Sequence, residues 1–190
     1  TLADRKKFCP DVNKLIKEEI NDDYIVLSQN PYYHQDPSWK DESLRKDFIF
    51  DTGLRFLRPY QLDAVKTIQK EVSKNHNRFL FEMATGTGKT LVAGGIIKLY
   101  LRTKNTNRVL FLVDRLELET QANTNLNDYL NPDYSSVIFK ENRDDWKKAD
   151  IVVTTIQSIS YENKYLKLFS PTDFDLIISD EAHRSISGNS

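Results

Sequence analysis

The chain has 190 residues, and its 27 Lys and Arg against 28 Asp and Glu leave a formal net charge of −1. That length suits one domain with an appendage, able to bury about 70% of its unfolded surface, and the charge balance argues against capture of nucleic acid by a wholly basic surface while leaving room for a local groove. Cys9 is the single cysteine, which excludes an intrachain disulfide and fits a reducing, cytoplasmic setting; no apolar run approaches the ~18 residues needed to span a bilayer. The first residues, Thr-Leu-Ala-Asp-Arg-Lys-Lys, lack an apolar signal core and an initiator Met, which points to processing or to an excised piece.

Residues 1 to about 50 differ from the rest. Lys14 to Ile20 predicts a short helix, and Asn30-Pro31-Tyr32-Tyr33 and Asp36-Pro37-Ser38 are turn chemistry. The frequent aromatics here (Tyr24, Tyr32, Tyr33, Trp39, Phe48, Phe50) are expected to anchor an irregular segment against the main domain. From Leu57 the order sharpens. Pro59 opens a helix, where its missing N–H costs nothing, and Leu62, Val65, Ile68 and Val72 give it an apolar face. Arg78–Met83 reads as a buried strand. Thr90–Leu101 reads as a helix loosened by Gly94-Gly95. Arg108–Val113 is a second buried strand, and Leu116–Leu130 a helix stopped by Asn131-Pro132. Short strands are expected at 137–139 and 150–154, a helix over 156–168, and a last strand over 174–179. Apolar strands alternating with helices indicate βαβ units: an α/β fold with a mostly parallel sheet covered by helices on both faces.

Met83-Ala84-Thr85-Gly86-Thr87-Gly88-Lys89-Thr90 lies where an apolar segment gives way to a helix. Strand, glycine loop, Lys-Thr and helix is the layout of a phosphate-binding loop. Glycines let the backbone turn its N–H groups onto an anion, and the helix adds its positive end. Thr85, Gly86, Thr87 and Gly88 form the cradle, Lys89 reaches the β/γ-phosphates and Thr90 ligates Mg²⁺. Only the first position departs from the pattern, with Met83 where Gly is usual.

Phe174-Asp175-Leu176-Ile177-Ile178-Ser179-Asp180-Glu181-Ala182-His183 supplies a second half. Two carboxylates follow an aliphatic strand at the end where open α/β sheets bind ligands. Asp180 is suited to the metal and Glu181 to orienting and deprotonating a water. His183 is suited to passing a hydrogen bond from the γ-phosphate site to a mobile partner.

These pieces resemble the superfamily 2 helicases. Asp180-Glu181-Ala182-His183 is similar to their DEAH-type motif II, and Met83 to Thr90 to their motif I, which tolerates a non-Gly first residue. Arg58-Pro59-Tyr60-Gln61 resembles the upstream glutamine motif, implying that Gln61 reads adenine. Leu112-Val113-Asp114-Arg115 with Leu118 and Gln121 resembles motif Ia, and Thr154-Thr155-Ile156-Gln157-Ser158 the next DNA-contacting motif. The combination is most similar to the motor of type I and type III restriction subunits, over about residues 55 to 187. The resemblance implies a RecA-like fold, ATP and Mg²⁺ as cofactors, and double-stranded DNA as partner beside modification and specificity subunits. It also implies that Arg115, Thr155 and Gln157 touch the DNA backbone. Residues 1–52 are then an N-terminal extension or the tail of an upstream domain, and 53–190 the first RecA-like domain.

In this fold the strand after motif II lies between the phosphate-loop strand and the motif II strand, so these residues alone are expected to leave a gap in the sheet. The arginine finger of a second lobe is also expected to be missing. The 190 residues by themselves should bind ATP weakly and not translocate. Rival functions are a stand-alone superfamily 2 DNA repair or RNA helicase, a P-loop small-molecule kinase, which would need a lid and an acceptor site, and a non-catalytic nucleotide-binding module.

Overall fold

The computed structural model describes residues 10–26, 32–141, 146–160, 163 and 165–180. Its helices are α1 (Val12–Lys17), α2 (Pro37–Lys40), α3 (Glu42–Thr52), α4 (Pro59–Val72), α5 (Lys89–Arg102), α6 (Leu116–Leu130), α7 (Ile156–Ser160) and α8 (Tyr165–Leu168). The strands are β1 (Val109–Val113), β2 (Ser136–Ile138), β3 (Ile151–Thr155) and β4 (Leu176–Ser179).

The strands form one sheet in the order β2-β3-β1-β4, and every ladder in it is parallel. Their C-terminal ends (Val113, Ile138, Thr155 and Ser179) therefore share one side of the molecule. Side chains alternate across the sheet. Val109, Phe111, Val113, Ile151 and Val153 enter the main core with α4, α5 and α6. Leu110 and Val152 face the other way, onto a second cluster with Trp146, Phe139, Phe169 and Phe174. Among the described residues this second face is covered largely by aromatic side chains. Of the helix expected over 156–168, the described residues form α7 and α8.

The expected strand at Arg78–Met83 does not form: residues 76–84 carry no regular secondary structure. Phe79, Phe81 and Met83 still pack against the core, whereas Leu80 is 83% exposed. Across the molecule β4 is an edge strand with Ile177 61% exposed. Alternation is present in the segment, but its backbone has no ladder among the described residues.

Gly94 and Gly95 do not loosen α5. A Cβ at Gly95 would stand 2.9 Å from Val65 Cγ2 on α4, and one at Gly94 would stand 3.1 Å from the Tyr129 ring on α6. Both glycines are points of close helix approach, with α5 buried at Leu91, Val92, Ile96, Ile97 and Leu99.

The core also crosses the expected boundary at 52–53. Leu15, Ile20, Tyr24 and Ile25 are buried in the same cluster as Val65 and Phe111. Gln69 of α4 donates to the carbonyls of Leu15 (2.9 Å) and Glu18 (2.8 Å), Lys98 of α5 to that of Tyr24 (2.6 Å), and Asn105 to that of Asp11 (2.9 Å). Further along, Asp36 and Asp41 cap α2 and α3 by accepting from Ser38 and Ser43 N–H. Helix α3, not expected from the sequence, ends at Gly53 in the left-handed conformation. The aromatics do anchor this part: Trp39 stacks on Phe56 at 5.6 Å and meets Tyr33 edge-on at 4.7 Å. Phe50, in contrast, is exposed.

Candidate nucleotide and nucleic-acid site

The glycine loop turns at residues 85–87 and enters α5 through Gly88. Gly86 (φ 77°) and Gly88 (φ 81°) both take the left-handed conformation that an L side chain resists. Thr87 braces the turn, its hydroxyl donating to the Ala84 carbonyl at 2.6 Å. Gly88 C=O accepts the first helical bonds, from Leu91 N–H (3.0 Å) and Val92 N–H (3.1 Å). The amides of Gly88, Lys89 and Thr90 thus occupy the first turn, where a helix has no acceptors of its own and where an anion is favoured. Thr85 and Gly86 are exposed; Lys89 and Thr90 are half-buried at the helix start.

Gln61 is 3% exposed and turned onto this loop. Its oxygen accepts from Arg58 N–H at 2.9 Å, and its nitrogen donates to the Thr87 carbonyl at 2.8 Å. The Tyr60 hydroxyl donates to that same carbonyl at 2.9 Å. A carbonyl has two lone pairs, so both bonds are satisfied at once. Each end of the Gln61 amide keeps one further hydrogen-bonding capacity. The role of Tyr60 was missed in the sequence; its place beside Gln61 was the only available signal.

Asp180 follows β4 and prolongs its pairing, with its N–H donating to Leu112 C=O at 2.8 Å. It therefore stands at the C-terminal side of the sheet, half-buried. Glu181 and His183 lie outside the described residues. Among the described residues no group of three or more His, Cys, Asp or Glu could hold a metal by itself.

Arg115, Thr155 and Gln157 come together. With Asp114, Leu116, Glu117 and Ser158 they line an open recess of about 530 Å³ beyond the ends of β1 and β3. The Arg115 side chain is 65% exposed, with Nε 3.5 Å from Asp114 Oδ2, and Gln157 is exposed. Thr155 is different. It is buried, and its hydroxyl accepts from Ser158 N–H at 3.1 Å, capping α7. Beneath it lies a residue the motifs do not mention: Glu119, 5% exposed, accepts Thr155 N–H at 2.8 Å.

The family model described as type III restriction enzyme, res subunit, matches residues 55–190. The chain belongs to that family. It is 36% identical over 144 residues to the type I restriction enzyme EcoAI endonuclease subunit of Escherichia coli, covering 74% of this chain and 17% of that protein. It is 37% identical over 142 residues to the EcoKI endonuclease subunit of Escherichia coli K12, covering 70% of this chain and 12% of that protein. The chain thus spans less than a fifth of the length of either relative. Among solved structures, the Sulfolobus solfataricus SWI2/SNF2 ATPase core in complex with dsDNA aligns with a TM-score of 0.56 at 22% identity, over 67% of this chain and 26% of that one. The α/β fold with its all-parallel sheet is that of a RecA-like ATPase core. No described helix is long and apolar enough to cross a membrane.

Proposed function

We propose that this chain is the nucleotide-binding part of an ATP-driven DNA translocase, the motor of a restriction subunit. The observation that carries this reading is the loop at the head of α5: two left-handed glycines leading into the first turn of the helix, with Tyr60 and Gln61 gripping its Thr87 carbonyl. Left-handed glycines at 86 and 88 suit a backbone that turns its N–H groups onto an anion. Bound Mg-ATP supplies the phosphoanhydride whose hydrolysis drives the motor. Lys89 offers its ammonium to the outer phosphates, and Thr90 and Asp180 offer oxygens to Mg²⁺. Glu181 is proposed as the base that orients water and His183 as the link to a second lobe. Gln61 presents its remaining amide capacity to adenine.

Double-stranded DNA is the proposed track. Arg115 and Gln157 meet its backbone with exposed side chains, and Thr155 serves it by capping the helix that carries Gln157. Modification and specificity subunits are the proposed protein partners, in the cytoplasm. Residues 1–52 are proposed as an extension whose described part packs on the motor domain of 53–190.

The test is ATP turnover by the complete protein with and without double-stranded DNA. Lys89→Ala should weaken ATP binding and turnover together. Glu181→Gln should keep Mg-ATP binding and abolish turnover; normal hydrolysis by that variant would end the assignment of the base. Turnover indifferent to DNA would sink the translocase and favour a P-loop kinase. Strand separation without any cleavage by the complete assembly would favour a free-standing helicase.

A further inference from the structure

We infer that Glu119 is a positioning residue for the DNA-facing recess, setting the spacing between its two walls. This rests on the reading of that recess as the DNA-backbone surface. One wall is the start of α6, with Arg115, Leu116 and Glu117; the other is the end of β3 and the start of α7, with Thr155, Gln157 and Ser158. Glu119 lies on α6 one turn past Arg115, and its carboxylate crosses to the second wall to accept Thr155 N–H at 2.8 Å.

Three observations make this contact more than ordinary packing. First, the carboxylate is buried, with 5% exposure, at a position of α6 whose interior neighbours Ala122 and Leu126 are apolar. A buried charge is retained where a specific partner needs it, because an unpaired one is strongly unfavourable. Second, Thr155 is where the sheet stops: its register partner Val113 is the last residue of β1. An amide leaving the ladder while still buried needs an acceptor, and Glu119 provides it. Third, Thr155 is itself the cap of α7, through its hydroxyl and Ser158 N–H. One residue therefore links the carboxylate on α6 to the orientation of Gln157 and Ser158 on α7. Backbone-contacting groups act by position, so loosening this link separates Arg115 from Gln157 without removing either.

The test uses the complete protein and three variants. Glu119→Leu keeps the volume and removes the acceptor. Glu119→Gln keeps an acceptor oxygen and removes the charge. Arg115→Ala/Gln157→Ala removes the proposed contacts themselves. The readouts are the duplex concentration giving half-maximal ATPase, the DNA-free ATPase rate, and hydrogen exchange at the Thr155 to Ser158 amides. Glu119→Leu is expected to raise the half-maximal duplex concentration roughly three- to tenfold, the range for one lost hydrogen bond, with the DNA-free rate unchanged and faster exchange at Thr155. Glu119→Gln should stay within about twofold of the parent, because its oxygen still accepts.

A purely structural Glu119 would lower the DNA-free rate and the DNA response together in Glu119→Leu, and that result overturns the inference. An unchanged DNA response with faster exchange at Thr155 overturns it too. Should Glu119→Leu not fold, the inference stands on Glu119→Gln against Glu119→Asp, whose shorter side chain withdraws the acceptor: an unaltered DNA response in Glu119→Asp with faster Thr155 exchange overturns it. If the Arg115/Gln157 double variant leaves the DNA response intact, the underlying reading of the recess fails instead, independently of Glu119.

Discussion

The Gln61 side-chain nitrogen donates to the Thr87 carbonyl at 2.8 Å and stands 2.5 Å from where a Cβ on Gly88 would be. Helix α4 and the glycine loop are therefore one mechanical unit, joined at a point with no spare volume. Anything that moves Gln61 moves the loop, and any side chain at residue 88 displaces Gln61.

Gly88→Ala should destabilise the nucleotide-free protein more than Gly86→Ala. Both residues have a positive φ, a strain of about 1–2 kcal/mol for alanine. Gly86 has nothing within 4 Å of a Cβ, whereas Gly88 adds the collision with Gln61. Thermal unfolding without nucleotide measures the difference; equal losses would show that the Gln61 contact is not what residue 88 requires.

Gln61→Glu should weaken a fluorescent ATP analogue at least as much as Gln61→Ala. The glutamate still accepts from Arg58 N–H but turns an oxygen, not an N–H, toward the Thr87 carbonyl. Tyr60→Phe removes only one of two donors to that carbonyl and should cost less, about 0.5–1.5 kcal/mol. Titration calorimetry on the three variants ranks them.

Gly95→Ala should destabilise the fold although it removes a glycine from a helix. The gain in helix propensity is about 1 kcal/mol. The Cβ would meet Val65 Cγ2 at 2.9 Å, and overpacking of this kind costs about 1–3 kcal/mol. Val65→Ala in the same chain should recover most of the loss, a coupling that a denaturant double-mutant cycle reads directly. Gly94→Ala, with 3.1 Å to the edge of a tyrosine ring, should be closer to neutral.

Tyr24→Phe should leave neutral stability equal or higher and reduce the loss of stability in alkali. The Tyr24 hydroxyl is buried without a hydrogen-bond partner among the described residues, so its removal deletes an unsatisfied group. Burial, with the nearby Glu18 carboxylate adding to it, raises the Tyr24 pKa well above its ordinary value of 10.0. A raised folded-state pKa means that the stability contribution is whole below pH 10 and is lost as pH rises toward the folded value. Tyr33 acts in the same direction, pushed up to about 12 by burial and by Asp23. Unfolding midpoints between pH 8 and pH 11 should therefore fall less steeply in Tyr24→Phe than in the parent.

Much of this was legible in the residues. The apolar spacing of Leu62, Val65 and Ile68 with Pro59 at the first turn marked α4, and Asn131-Pro132 marked the end of α6, because helix signals are local and repeat every turn. The N-terminal part was less so. Its capping aspartates Asp36 and Asp41 were visible as turn chemistry, but α3 has too weak an apolar stripe to announce a helix, with no residue buried among the described ones.

By itself the sequence determined the kind of fold and where the glycine loop turns. Gly86 and Gly88 take their left-handed conformations within one local turn at the head of α5, and apolar strands alternating with helices admit few arrangements other than a parallel sheet. Tertiary structure decided what depends on a distant neighbour. Phe79 to Met83 has a strand's alternation but no strand, because a strand exists only where another backbone accepts its hydrogen bonds. Gly94 and Gly95 became contact points because Tyr129 and Val65 stand against them. Glu119 gained a meaning from an amide 36 positions away, a pairing that arises only when β3 has been folded beside the helix that follows β1.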